Sequence, residues 1–165
     1  MNILPLALSA CLLCYAIPIA PSTHNNTNSL TSSIHTPTSI HQLIAKHAKS
    51  KAIPIALVTR IVKQESSFNP KAKRYEPSLR AHSLGLMQIM DNYWVNSKTC
   101  PFIKAPADLL DADLNLKCGT SILRSLLSKY PSTKDALIAY NGGENCFLSP
   151  KCLTQSSLYA EKILS

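Results

Sequence analysis

Residues 54–68 read PIALVTRIVKQESSF, and the spacing of their apolar side chains decides what kind of fold this chain can build. Ile55, Leu57, Val58, Ile61 and Val62 recur at helical steps, and Pro54 opens the run where a helix tolerates it, in the first turn. One residue breaks the pattern. Glu65 lies four residues after Ile61 and seven after Val58, so it projects from the stripe that faces the core. Desolvation there disfavours the charged form and raises the pKa, which is what a general acid working near neutral pH requires. A Glu at a helix end can also reach past the last turn into solvent, and spacing alone leaves both outcomes open.

Helical spacing continues on either side. Ile40, Leu43, Ile44, His47 and Ala48 form one amphipathic helix with Ser39 as its N-cap. After the Glu65 helix, which runs to about Ser66, a loop with two prolines and several charges reaches from Asn69-Pro70 to His82. The short apolar run from Leu84 to Met90 reads as a third helix. Leu109 to Tyr130 is a long helical pattern ended by Pro131, Lys134 to Tyr140 another, stopped by Asn141-Gly142-Gly143, and Leu158 to Leu164 the last. No alternating strand and no internal repeat stands out, so a mainly α domain is expected.

Length and composition bound the rest. With 165 residues, 45% of them apolar, the chain has room for one compact core. It carries 17 Lys+Arg against 9 Asp+Glu, a net +8, with no charged side chain before Lys46. Such a surface favours polyanions in general. Neither a basic helix with interleaved aromatics nor zinc-ligand spacing is present, so no nucleic acid is expected as partner. A membrane-disrupting cationic role has only the charge in its favour.

Residues 3–20, ILPLALSACLLCYAIPIA, are apolar apart from Ser9, Tyr15 and two cysteines, and PSTHNNTNSLTSS follows at once. Residues 1–20 read as an export signal, and residues 21–38 as a flexible leader rich in Ser, Thr, Asn and Pro. The alternatives are an uncleaved anchor, since eighteen residues could just span a bilayer, or a lipoprotein signal around Leu8-Ser9-Ala10-Cys11. Residues 39–165 form the domain. Its four cysteines allow three pairings, of which Cys100 with Cys118 and Cys146 with Cys152 close small loops and are favoured. Disulfides agree with an oxidising compartment, so export to the periplasm or cell envelope is expected.

Four blocks in order carry a resemblance. They are Glu65-Ser66-Ser67-Phe68-Asn69-Pro70, Ser83-Leu84-Gly85-Leu86-Met87-Gln88-Ile89-Met90, Ala139-Tyr140-Asn141-Gly142-Gly143 and Tyr159-Ala160-Glu161-Lys162-Ile163-Leu164. In content, order and approximate spacing they resemble the soluble-type lytic transglycosylases over residues 40–165. The resemblance implies a lysozyme-like helical domain of the goose-type kind, cleaving the bond between N-acetylmuramic acid and N-acetylglucosamine in peptidoglycan glycan strands. It implies Glu65 as the catalytic acid/base, Ser83 near the reacting sugar, and Gly85 admitting a close approach of glycan and backbone. Met87 and Gln88 would line the cleft, and Tyr140 and Asn141 would position Glu65 and the substrate.

Three features depart from the family pattern. KAKRYEPSLRAH lengthens the segment between Pro70 and Ser83, Leu84 replaces a smaller residue, and Asp91 stands where Pro is frequent. Glu76, in the longer loop between Tyr75 and Pro77, is expected to be solvated.

Ordinary glycosidases use two carboxyl groups. The resemblance implies one, which protonates the leaving oxygen and then takes the proton of the muramoyl C6 hydroxyl, giving an anhydromuramoyl end. The alternative is hydrolysis, with Asp91 or Glu76 activating a water. Neither route needs a cofactor or metal, and the five His residues have no ligand constellation. A monomer is expected, and small exported domains of this build resemble those that open the wall for secretion, conjugation or pilus machines. A wall-binding assembly subunit without chemistry is the competing class, and the joint presence of Glu65, Ser83, Gln88 and Tyr140 speaks against it.

Overall fold

The protein is described by a computed structural model covering residues 38–165. The segments read as export signal and leader lie outside these residues, apart from Thr38 at the leader's end. Folded structure starts at α1 (Ile40–Ser50), where Ser39 and Gln42 form a reciprocal cap: each side-chain oxygen accepts from the other's backbone N–H, at 3.2 and 2.7 Å. Ile44, His47 and Ala48 face inward. The buried His47 is satisfied by Asp113, whose Oδ1 lies 2.8 Å from its Nε2 and also accepts from Lys46 at 2.7 Å.

Helix α2 (Ile55–Ser66) follows, with Pro54 at its N-cap. Val58, Ile61 and Val62 are fully buried, each contributing roughly 1.5–3 kcal/mol of hydrophobic stabilisation. Ser67 and Phe68 then adopt φ of 50° and 65°, the left-handed region, and turn the chain sharply away from the helix axis.

The next segment corrects the sequence-based expectation. The loop and third helix expected between Asn69 and Met90 are instead a three-stranded antiparallel sheet, β1 (Lys73–Glu76), β2 (Ala81–Leu84) and β3 (Ile89–Met90). Strands β1 and β2 pair Arg74 with Ser83 and Tyr75 with His82, and β2 and β3 pair Leu84 with Ile89. The apolar run from Leu84 to Met90 is a turn between two strands because Gly85 and Gln88 both take positive φ, 74° and 48°. An α-helix admits neither value.

Asn115, fully buried, fastens this turn to the helices. Its Oδ1 accepts from the Met87 N–H at 2.9 Å, and its Nδ2 donates to the carbonyls of Leu84 (2.9 Å) and Leu109 (2.7 Å). Ser66 Oγ adds a bond to the Leu86 carbonyl at 2.9 Å, joining the end of α2 to the same turn.

A four-residue helix α3 (Asp91–Trp94) and a 3-10 turn (Pro106–Leu110) lead into α4 (Ala112–Lys129). The long pattern expected from Leu109 is thus interrupted at Asp111, whose side chain caps α4 by accepting from Leu114 N. Helix α4 supplies the centre of the core through Leu116, Ile122, Leu123 and Leu126. Helices α5 (Thr133–Gly142) and α6 (Pro150–Leu164) pack on each other and on this centre. Helix α6 begins eight residues before the Leu158 read from the sequence, because Ser149 caps it and Pro150 occupies its first turn. Its buried stripe is Ser156, Ala160 and Ile163, while Leu158 is exposed.

Both favoured disulfides are formed. Cys100–Cys118 pins the segment after α3 to α4, and Cys146–Cys152 ties the 3-10 turn Glu144–Leu148 to α6. Among the described residues no helix is long and apolar enough to cross a membrane.

Candidate active site

Glu65 lies in the last turn of α2, one turn beyond the buried Ile61, and is partly buried, the first of the two outcomes its spacing left open. Burial is the main influence on its carboxyl and pushes the pKa above the ordinary value. A hydrogen bond from Tyr159 and the Arg74 charge pull it down, and the Glu76 charge pushes it up, with the net shift upward. The Tyr159 hydroxyl donates to Glu65 Oε1 at 2.6 Å. Oε2 accepts from no group among the described residues, so it is the position where a proton can be carried and delivered.

Tyr159 opens the fourth of the blocks quoted from the sequence but was given no role there. Its signal was available: it sits three residues after Ser156 and four before Ile163, beside the buried stripe, and a half-buried tyrosine needs a partner for its hydroxyl. Burial and the neighbouring Glu65 charge raise its pKa far out of the working range, so it stays a donor.

Tyr140 is also influenced by the Glu65 charge but holds a different group. Its enclosed hydroxyl donates to the Met87 carbonyl at 2.8 Å, and burial followed by the Glu65 charge raises its pKa well above the ordinary value. It thus fixes the Gly85–Gln88 turn beside the acid, while Tyr159 holds the acid itself. Asn141, exposed at the end of α5, accepts at Oδ1 from Ser156 Oγ at 3.0 Å.

Several expected roles change. The Met87 side chain does not line a cleft: it is fully buried and packs against Gly119, where a Cβ would overlap its sulfur. Gly85 is needed for its φ of 74° and for the close approach of the Leu109 carbonyl and the Asn115 amide, so the approach it permits is internal. Gln88 turns back on the chain, donating to the Gly85 carbonyl at 3.0 Å. Ser83 is buried, and its hydroxyl donates to Glu76 Oε1 at 3.0 Å.

Glu76 is the largest departure from the sequence-based picture. Instead of standing in a solvated loop, it ends β1 with its side chain 24% exposed, accepting from Arg74 Nε at 2.6 Å and from Ser83. Partial desolvation works upward on its carboxyl, but the bonds from Arg74 and Ser83 and the Arg74 charge outweigh it and hold the pKa below the ordinary value. Side chains alternate across a strand, so Arg74, Glu76 and Ser83 share the sheet face whose charges reach Glu65. Lys73, Tyr75 and His82 lie on the other face.

Asp91 belongs to that other face. It accepts from the His82 N–H at 3.0 Å, lies 3.4 Å from His82 Nδ1, and lines a separate shallow cavity with Lys73, His82 and Leu110. It is not among the groups acting on Glu65. Among the described residues no group of His, Cys, Asp and Glu is arranged to hold a metal ion.

Comparison with known proteins follows the same lines. Residues 42–162 match the family described as the transglycosylase SLT domain. Over 111 residues the chain is 31% identical to the soluble lytic murein transglycosylase of Escherichia coli (strain K12), taking in 65% of this chain but 16% of that longer protein. The lytic transglycosylase Slt of Pseudomonas aeruginosa, solved as an inactive glutamate-to-glutamine mutant, matches with a TM-score of 0.62 and 19% identity over 78% of this chain and 23% of that one. The 70 kDa soluble lytic transglycosylase in complex with bulgecin A matches with a TM-score of 0.57 and 27% identity, over 77% and 21% of the two chains. Both share with this chain a mainly helical, lysozyme-like fold.

Proposed function

The chain belongs to the transglycosylase SLT family, and from that premise we propose that it is a peptidoglycan lytic transglycosylase with Glu65 as its acid/base. The observation that carries this is the state of Glu65: a carboxyl at the end of a core-facing helix stripe, anchored at Oε1 by Tyr159, biased toward protonation by burial, with Oε2 free. The protonated acid gives its proton to the glycosidic oxygen as the bond from muramoyl C1 to that oxygen breaks. The carboxylate so formed takes the proton of the muramoyl C6 hydroxyl, whose oxygen closes on C1. The product ends in an anhydromuramoyl sugar and no water is consumed.

In this reading the neighbouring groups keep Glu65 ready. Tyr159 orients the carboxyl and stabilises it in the second step, when it is charged. Tyr140 and Asn115 brace the Gly85–Gln88 turn through Met87, and Ser66, next to Glu65, ties the end of α2 to the same turn. Ser83 and Gln88 serve through the sheet and turn they order, and Asn141 remains available at the surface for the glycan.

The proposed place of action is the cell envelope. The apolar residues 3–20, two disulfides and a net charge of +8 support export toward an anionic wall. Opening the wall for a secretion, conjugation or pilus machine is the use proposed for so small a domain.

The test is to incubate purified protein, and Glu65→Gln beside it, with peptidoglycan and to weigh the released muropeptides. Wild type is expected to release anhydromuramoyl ends. The variant should be slower by at least ~10²-fold, the low end of what general acid catalysis contributes. Near-wild-type activity in the variant would remove Glu65 from its role, and binding without release would leave the wall-binding subunit as the better description.

A further inference from the structure

The sheet has an open edge. Strand β1 pairs with β2 alone, and the bond from the Gly85 N–H to the Ala72 carbonyl, at 2.8 Å, fixes which residues of β1 face that ladder. Bonded pairs alternate with non-bonded ones between antiparallel strands, so Ala72, Arg74 and Glu76 turn their N–H and C=O groups toward β2. Lys73 and Tyr75 turn theirs away. The residue opposite Tyr75 agrees: His82 directs its own N–H away from β1 and gives it to Asp91 Oδ1 at 3.0 Å. The backbone groups of Lys73 and Tyr75 have no partner among the described residues.

The side chains of these two residues stand on one face of the sheet, together with His82 and Leu84 across the ladder. Tyr75, 54% exposed, lies against the His82 ring with centroids 5.1 Å apart. On the same face Lys73 and His82 line a cavity of about 260 Å³ with Leu84, Asp91, Pro106 and Leu110. Sites for drug-sized ligands run to roughly 300–1,000 Å³, so this one has room for a single amino-acid side chain. Its charges are opposite. Lys73 makes no ion pair among the described residues, and Asp91 has there only the imidazole of His82, at 3.4 Å. Apolar walls between a cation and a carboxylate suit a group that carries both charges on a short aliphatic arm.

We propose that the β1 edge and this cavity together dock the short peptide stems of peptidoglycan, an extended stem adding beside β1 and its diamino acid entering the cavity. The proposal builds on the reading of peptidoglycan as this protein's target. In strand addition the main chain supplies affinity and pockets for alternate side chains supply selectivity. Here the edge offers two residues, which a peptide of a few amides saturates. A protein strand of ordinary length, about 5–6 residues, would leave most of its amides unpaired. A wall stem also brings the charges this cavity can match: carboxylates for Lys73, and the ammonium of its diamino acid for Asp91. The stem is held on the sheet face opposite Glu76, and bond cleavage is left to Glu65.

Titration of isotope-labelled protein with the sugar-free, N-acetylated stem tripeptide alanyl-γ-glutamyl-diaminopimelate, followed by NMR, tests the site apart from cleavage. Wild type and Glu65→Gln should bind it alike, with the Lys73 and Tyr75 amides shifting most. Tyr75→Pro removes an edge N–H that no ladder bond uses, and should weaken binding about 5-fold, the worth of one hydrogen bond. Lys73→Glu, at an exposed position, should weaken it at least ~10-fold and decides the matter if Tyr75→Pro fails to fold. Both variants should cleave glycan stripped of its peptides at the wild-type rate. No binding, a Kd unmoved by Lys73→Glu, or equal binding of a blocked, uncharged tripeptide, as an edge open to any protein strand would show, would overturn the assignment while leaving Glu65-dependent release in place. Stem binding without Glu65-dependent release would overturn the cleavage reading and leave the docking site standing.

Discussion

The Tyr159 hydroxyl donates to Glu65 Oε1 at 2.6 Å across 94 positions of sequence, joining α6 to α2 at the proposed acid. This bond favours the ionised form of the acid, and burial opposes it. Tyr159→Phe should therefore do two things. It should lower kcat about 10-fold, since a hydrogen bond to a charged group is worth ~1.5–3 kcal/mol. It should also move the alkaline limb of the rate profile to higher pH, because Glu65 then holds its proton longer. A merely structural tyrosine would move the rate without the limb.

Glu65 also costs the fold stability. Its folded pKa lies above the unfolded value, so the native state binds more protons between the two. Stability is complete below the unfolded carboxyl pKa and falls as pH rises through the folded one. Glu65→Gln removes this loss while keeping an acceptor for Tyr159. Thermal unfolding at neutral pH should show the variant melting higher than wild type, with the difference vanishing in acid.

Three buried backbone groups, the Met87 N–H and the Leu84 and Leu109 carbonyls, end on the Asn115 amide. Asn115→Ala strands the Met87 N–H and the Leu84 and Leu109 carbonyls inside the core. A loss of about 3 kcal/mol is expected, near 10 °C in melting temperature for a domain of this size. Scanning calorimetry checks it.

Met87 offers the converse test. Its side chain is wholly within the core, and only its carbonyl reaches the site, through Tyr140. Met87→Leu conserves volume and should cost less than about 1.5 kcal/mol, leaving KM for glycan unchanged. A large rise in KM would mean that the thioether touches substrate.

The two disulfides should differ in worth. Cys100–Cys118 closes 18 positions and Cys146–Cys152 only six; loop-closure entropy then assigns about 3 kcal/mol to the first and nearer 2 kcal/mol to the second. Denaturant unfolding of the paired Cys→Ser variants measures both.

Helices α1 and α2 were legible in the sequence because their apolar residues recur at a single, helical spacing. Ser39 reads as an N-cap, and Ile61 with Val58 sets the stripe on which Glu65 stands, although spacing did not say whether its carboxyl stays inside. The sheet was hidden for a physical reason. Strand β1 reads Lys-Arg-Tyr-Glu, with polar groups on both faces, because one face carries Arg74 and Glu76 toward the acid and the other carries Lys73 beside His82 and Asp91. No apolar alternation survives that arrangement. The turn after β2 was hidden by Gln88, a non-glycine residue at positive φ that its own bonds and the Asn115 staple hold in place. Tyr159 was obscured by its neighbours: Leu158 and Leu164 drew the apolar stripe toward the solvent side of α6, where both are exposed.

Cys146–Cys152 bears on how firmly Glu65 is held. The bond sits at the corner between α5 and α6, where Gly142 leaves room for both sulfurs. Tyr140 and Tyr159 stand on the two arms of that corner, the first donating to the Met87 carbonyl and the second to Glu65. Of the two, only Tyr159 depends on α6 for its place beside Glu65, and α6 is tied at its first turn by this disulfide. Reduction of Cys146–Cys152 is therefore expected to loosen the grip on the proposed acid before it disturbs the helix that carries it.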